Sequence, residues 1–168
     1  MTRLARRLAL SLLTLSLVLP SALVQAATRA EAEVLVKEAV AYMKEHGKGP
    51  GLAEISRRNG LFAKGDLYVF AYNLDMVSVA HPYHPDLLGR QLHDIPDAQG
   101  KLFRLEIQAK ALSDGSGWVN YQFENPKEHR LEAKSSYFEL YQNLILCAGV
   151  YREEPAPAGT ELANPTDQ

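Results

Sequence analysis

The sequence predicts an α+β domain: a five-stranded antiparallel sheet with a long N-terminal helix and further helices packed on one side of it. Three observations lead there. A capping box at Thr28-Arg29-Ala30-Glu31 opens a long amphipathic stretch. An aromatic and β-branched run over residues 67–73 reads as a strand that is apolar on both faces. Three strand-like runs near the C-terminus are separated only by tight turns, so they pair as antiparallel hairpins.

A leader precedes the domain. Arg3, Arg6 and Arg7 make a basic start, an apolar run follows from Leu8 to Leu19, and Val24-Gln25-Ala26 sets small residues where a signal peptidase reads. The pattern is that of a secretory signal peptide over 1–26, cut after Ala26. The apolar stretch is interrupted by Ser11, Thr14, Ser16, Pro20 and Ser21, which places it at the lower limit for a membrane span. No Cys follows it to carry a lipid.

The domain itself is expected over 27–152. Ala32, Leu35, Val36, Ala39, Val40 and Met43 recur at three- and four-residue steps, one stripe of a helix over 28–46, and Gly47 suits its C-cap. Gly49-Pro50-Gly51 reads as a break, with a short helix over 52–59 after it. In the strand over 67–73, Tyr68, Phe70 and Tyr72 share one face. A hairpin turn at Leu74-Asp75-Met76 leads to a second strand over 77–81, which Pro82 stops. Residues 82–100 read as a long irregular connection, a common form for a binding loop. A helix over 102–112 follows, then strands over 118–123, 131–141 and 144–151, the last two joined by a turn at Gln142-Asn143. Residues 153–168 carry three Pro, small residues and acids, and read as a disordered tail. The long helix is expected to lay its stripe across the sheet, over Tyr68, Phe70 and Tyr72.

Composition excludes several function classes. The formal charge is −2, and the leader holds three Arg and no acid, so the domain is more acidic still. Nucleic-acid binding would call for a basic face. No second apolar segment reaches membrane-spanning length, so no stable insertion is expected once the leader is removed. Cys147 is the single cysteine, so no internal disulfide forms, and its apolar neighbours suggest a buried, inert thiol. There is no Gly-x-Ser-x-Gly and no phosphate-binding loop. His81, His84 and His93-Asp94 invite a metal reading, but their spacing is loose and no Cys supports them. No catalytic residue, metal or cofactor is expected.

From Asp66 to Tyr151 the chain resembles the single Cache domain, type 2, an extracytoplasmic PAS-like sensor domain. The resemblance rests on ordered pieces: Asp66-Leu67-Tyr68-Val69-Phe70, Asn73-Leu74-Asp75, His81-Pro82, Gly89 and Asp97-Ala98-Gln99-Gly100-Lys101. Further on come Gly117-Trp118-Val119-Asn120-Tyr121, Asn125-Pro126, Lys134-Ser135-Ser136-Tyr137 and Ala148-Gly149-Val150-Tyr151. Met76 stands where the family usually places Gly. The resemblance implies a PAS-like fold with a ligand pocket on one face of the sheet, and a periplasmic module that senses small metabolites and catalyses nothing. The chain shows no membrane helix or signalling domain after Tyr151, so a free periplasmic binding protein is expected. An adaptor acting through protein contacts, or a small enzyme, are the alternatives.

A pocket for a small anion needs a cation, hydrogen-bond donors and apolar walls. Lys134 leads, in the long strand beside Ser136 and Tyr137, because an ammonium on a sheet face makes charge-assisted hydrogen bonds to a carboxylate. A solvated edge Lys is the other reading. His81 and Arg104 are further candidate cations, Tyr121, Tyr137 and Tyr72 candidate phenol donors, and Trp118 a candidate wall. Strand parity limits the set. Lys134 and Tyr137 are three apart, as are Trp118 and Tyr121, so either a bulge re-aims one of each pair or only one of each faces the pocket. A short organic acid is the expected ligand. A membrane receptor or a second copy of the chain is the expected protein partner.

Overall fold

The structure, a computed structural model, describes residues 27–152. The expected leader and acidic tail lie outside the described residues. Helix α1 spans Arg29–His46 and opens on the capping box, with the Thr28 amide donating to Glu31 Oε2 at 2.7 Å and the Glu31 amide to Thr28 Oγ1 at 3.3 Å. Helix α2 is Lys48–Ile55, four residues earlier than the sequence pattern suggested. Pro50 does not break it, because a first-turn residue has no intrahelical N–H partner to lose. Gly51 lets α2 cross α1 closely: a β-carbon there would stand 2.3 Å from Met43 Cγ.

The strands are β1 (Ala63–Lys64), β2 (Leu67–Asn73), β3 (Ser78–Ala80), β4 (Ser116–Asn125), β5 (Arg130–Tyr141) and β6 (Leu144–Arg152), with α3 at Phe103–Asp114. They form one antiparallel sheet in the order β1-β2-β6-β5-β4, with β3 also on β2. The sheet has six strands rather than five. The extra one, β1, is two residues long and too short to show any alternation.

Two cores lie on the two faces. Leu67, Val69 and Ala71 of β2, with Leu144, Leu146, Ala148 and Val150 of β6, pack on the buried stripe of α1. Tyr68, Phe70 and Tyr72 point the other way, with Phe138, Ile145 and Cys147, onto Phe103, Ile107 and Ala111 of α3. Helices therefore cover both faces. The aromatic face lies away from the long helix, contrary to the sequence-based expectation. A strand apolar on both sides carries no mark of which side takes which helix.

The aromatic face is completed by the segment over 74–102. Asn73 Oδ1 accepts from the amides of Asp75 and Val77, closing the β2–β3 turn. Met76 occupies the left-handed region itself (φ 56°) and is fully buried. Ser78 exchanges backbone hydrogen bonds with Gly89 and Arg90, and a one-turn 3₁₀ helix spans Pro85–Leu87. Asp97 then ties the segment to edge strand β4: Oδ1 accepts from the Gln99 and Lys101 amides, and Oδ2 from the Gln122 amide at 2.9 Å. Burial pushes the Asp97 carboxyl up, but these backbone donors outweigh it and hold the group below its ordinary value.

Candidate functional site

The two-residue turn after Tyr141 fixes the β5–β6 register, and β4 pairs along the other side of β5. The result is one row across three strands, Tyr121–Lys134–Tyr151, and a second row, Val119–Ser136–Gly149. The β4–β5 ladder is regular from Ser116 to Asn125, so parity holds. Lys134 and Tyr121 face α3. Tyr137 and Trp118 face α1, and they pair with each other there. Trp118 donates through Nε1 to Glu33 Oε1 at 3.2 Å and lies under the Arg29 guanidinium. These two candidates are thus not brought to Lys134, because no bulge turns either strand.

Lys134 is 2% exposed. Its Nζ donates to Tyr68 Oη at 2.7 Å and to Tyr151 Oη at 3.0 Å. The two phenol oxygens are 2.9 Å apart, and Tyr151 donates its own proton to the Glu124 carbonyl at 2.8 Å. Tyr68 is therefore the donor between the two phenols, and both oxygens turn lone pairs to the ammonium. The ring of Tyr68 lies 4.0 Å and that of Tyr151 4.4 Å from Nζ, with Phe70 and Phe123 beyond. Gly149 makes room for the stem: a β-carbon there would stand 2.7 Å from Lys134 Cε. Two of the three ammonium N–H groups are satisfied. Among the described residues the third meets no acceptor, and no carboxylate forms an ion pair with it.

A cation buried without an anion is costly. Burial accordingly lowers the Lys134 pKa well below its ordinary 10.5. It also raises the phenols of Tyr68 and Tyr121 well above 10.0, so both stay protonated.

His81 lies against the same rings, 5.2 Å from Tyr68 and stacked on Phe70 at 5.6 Å. Its Nδ1 accepts from the amides of Tyr83 and His84, at 3.2 and 3.0 Å. The ring proton therefore sits on Nε2, which meets no acceptor among the described residues. Burial first, and then the charge of Lys134, lower the His81 pKa well below 6.5. Arg104 is also buried without a carboxylate. It donates to Tyr72 Oη at 3.2 Å and to the Ile95 carbonyl at 3.1 Å, fastening α3 to the covering segment. Tyr121 stacks on Phe103 at 3.9 Å and shares a hydrogen bond with Ser136.

The site is thus a donor-rich cluster with no carboxylate in ion-pair contact among the described residues, built on Lys134, His81, Tyr121, Tyr68 and Tyr151, with Arg104 and Tyr72 at its α3 side and the Asp66 charge acting on Lys134 from further off. Sequence reasoning missed Tyr151 and Gly149 and assigned Tyr68 to plain core. The signal was the turn at Gln142-Asn143, whose register sets Tyr151 opposite Lys134 and Gly149 opposite Ser136. A polar cleft of about 380 Å³ opens between Gln99 and Lys101 of the covering segment and Asn120, Tyr121, Gln122, Ala133 and Lys134 of β4 and β5. Among the described residues no group of three or more His, Cys, Asp or Glu is placed to hold a metal ion, and no helix is long and apolar enough to cross a membrane.

Comparison with known proteins agrees with this architecture. A solved structure described as "Structural basis for carboxylic acid recognition by a Cache chemosensory domain" superposes with a TM-score of 0.66 at 27% identity, over 74% of this chain and 92% of the other. A "Periplasmic sensor domain of chemotaxis protein" gives 0.61 at 25% identity, over 74% and 90%. A methyl-accepting chemotaxis protein from Vibrio parahaemolyticus RIMD 2210633 shares the fold, at 0.64 and 20% identity over 73% and 86%. No curated protein matches the chain. The sequence profile "Single Cache domain 2" matches residues 18–155. With the PAS-like sheet, the long N-terminal helix and the covered aromatic face, the chain belongs to the single Cache domain 2 family of extracytoplasmic sensory ligand-binding modules.

Proposed function

We propose that this chain is a periplasmic sensory domain, exported by its 1–26 leader, that binds a short carboxylate on the aromatic face and performs no catalysis. One observation carries the reading. The Lys134 ammonium is fully buried, held by two phenols, and left with one N–H and no carboxylate in ion-pair contact among the described residues. The His81 Nε2–H belongs to the same ring cluster and also lacks an acceptor. A carboxylate supplies the missing negative charge and up to four lone-pair positions. In a water-poor aromatic enclosure each hydrogen bond to it is charge-assisted. The relative described as recognising carboxylic acids supports the ligand class.

Isothermal titration of the purified protein with acetate, propionate and pyruvate tests this. Lys134→Met keeps the length of the stem and removes the charge. Loss of a hydrogen bond to a charged group costs about 1.5–3 kcal/mol, a weakening of roughly 10- to 100-fold. Undiminished binding by Lys134→Met would place the ligand elsewhere.

A further inference from the structure

His84 packs against this cluster and has one feature that the carboxylate reading does not use. Its ring packs edge-on against His81 at 4.9 Å and against Phe123 at 5.4 Å, the same Phe123 whose ring lies 5.4 Å from Lys134 Nζ. Its Nε2 is buried and has no hydrogen-bond partner. Its Nδ1 lies 3.8 Å from the Asp86 carboxylate, which favours the proton on that nitrogen. Nε2 then presents a lone pair. A buried acceptor without a donor is a group that native structures rarely leave so.

The polar groups without partners thus have opposite signs. Lys134 and His81 offer N–H groups that want an acceptor. His84 offers a lone pair that wants a donor. Resting on the carboxylate reading above, we propose that the ligand is a short hydroxy-carboxylate, its carboxylate on Lys134 and His81 and its hydroxyl donating to His84 Nε2. A plain carboxylate of the same carbon skeleton satisfies the cations and leaves His84 Nε2 unpaired, so the site discriminates by the hydroxyl. A site built to hydrogen-bond a ligand hydroxyl penalises the analogue that lacks it, because a buried polar group is left alone.

The test is titration calorimetry on matched pairs: glycolate against acetate, lactate against propionate, and 3-hydroxybutyrate against butyrate. At least one hydroxy acid is expected to bind about tenfold tighter than its partner, the scale of one buried hydrogen bond. His84→Phe keeps the ring and its packing, and is expected to bring that hydroxy acid down to the affinity of its partner while the partner is unchanged. Equal affinity within all three pairs overturns the proposal and leaves the carboxylate reading standing. A preference that survives His84→Phe overturns it as well. If neither member of any pair binds, the carboxylate reading falls and this proposal with it.

Discussion

An alanine at position 149 probes the packing that holds the buried ammonium in place. Gly149 lies in β6 directly opposite Ser136, and φ there is not in the left-handed region, so the change adds only a methyl group. That methyl would stand 2.2 Å from Ser136 Oγ, 2.7 Å from Lys134 Cε and 3.0 Å from the Ser135 carbonyl oxygen. Carbon atoms ordinarily approach to about 3.5–4 Å, so the Lys134 stem must retreat by about an ångström. The Ser136 hydroxyl is already engaged with Tyr121 Oη at 2.8 Å. The Ser135 carbonyl belongs to the sheet ladder and has little freedom. The Lys134 ammonium is then drawn off its two phenols. Overpacking costs about 1–3 kcal/mol, and with the disturbed hydrogen bonds the upper half of that range is expected. For a domain of this size that lowers Tm by about 10 °C. Differential scanning fluorimetry reads the Tm, and calorimetry with acetate should show at least a tenfold loss of affinity. A variant with wild-type Tm and affinity would refute the packing argument.

Other expectations follow from the same geometry. Tyr68→Phe removes an acceptor from the ammonium and should weaken carboxylate binding about five- to tenfold, whereas Tyr137→Phe, on the α1 face, should change it less than twofold. Equal effects of the two changes would contradict the assignment of faces. Stability should fall with acid before the carboxylates titrate. His81 is neutral when folded, with its pKa lowered from 6.5 by burial, so the unfolded chain binds the proton first and folding weakens as pH drops below 6.5. The paired carboxylates Asp97 and Glu132, held below their ordinary values, add their own losses only at lower pH, as their folded-state pKa values are approached. Urea unfolding at pH 7.5 and 5.5 should show the decrease in the wild type and a smaller one in His81→Gln. An identical decrease in both would contradict it.

Much of this architecture is legible in the sequence. The Thr28–Glu31 box and the stripe from Ala32 to Met43 place α1 to the residue, because capping and 3.6-residue periodicity are local properties. The last two strands are equally plain, since a tight turn between alternating runs admits little else. The side of the sheet that each helix takes is not legible. Tyr68 and Val69 are both fully buried, so β2 carries no polar face to orient it. The site divides the same way. Lys134 is found as a cation beside Ser136 and Tyr137 in the long strand, with a solvated edge Lys as the competing reading, and parity separates it from Tyr137. Its real partners, Tyr68 and Tyr151, lie 66 and 17 residues away, and only sheet register brings them together. His84 was visible only as a loose metal candidate, because the orphaned nitrogen that distinguishes it exists only once the covering segment folds over Phe123.

The state of the Lys134 amine on ligand addition bears on the central claim most directly. NMR of protein labelled at lysine ε-carbons follows its titration. The apo midpoint should lie below those of the surface lysines, and saturating acetate should move it upward, because a carboxylate beside the amine favours the charged form. A midpoint indifferent to acetate at concentrations that saturate binding would show that the ligand does not sit on Lys134.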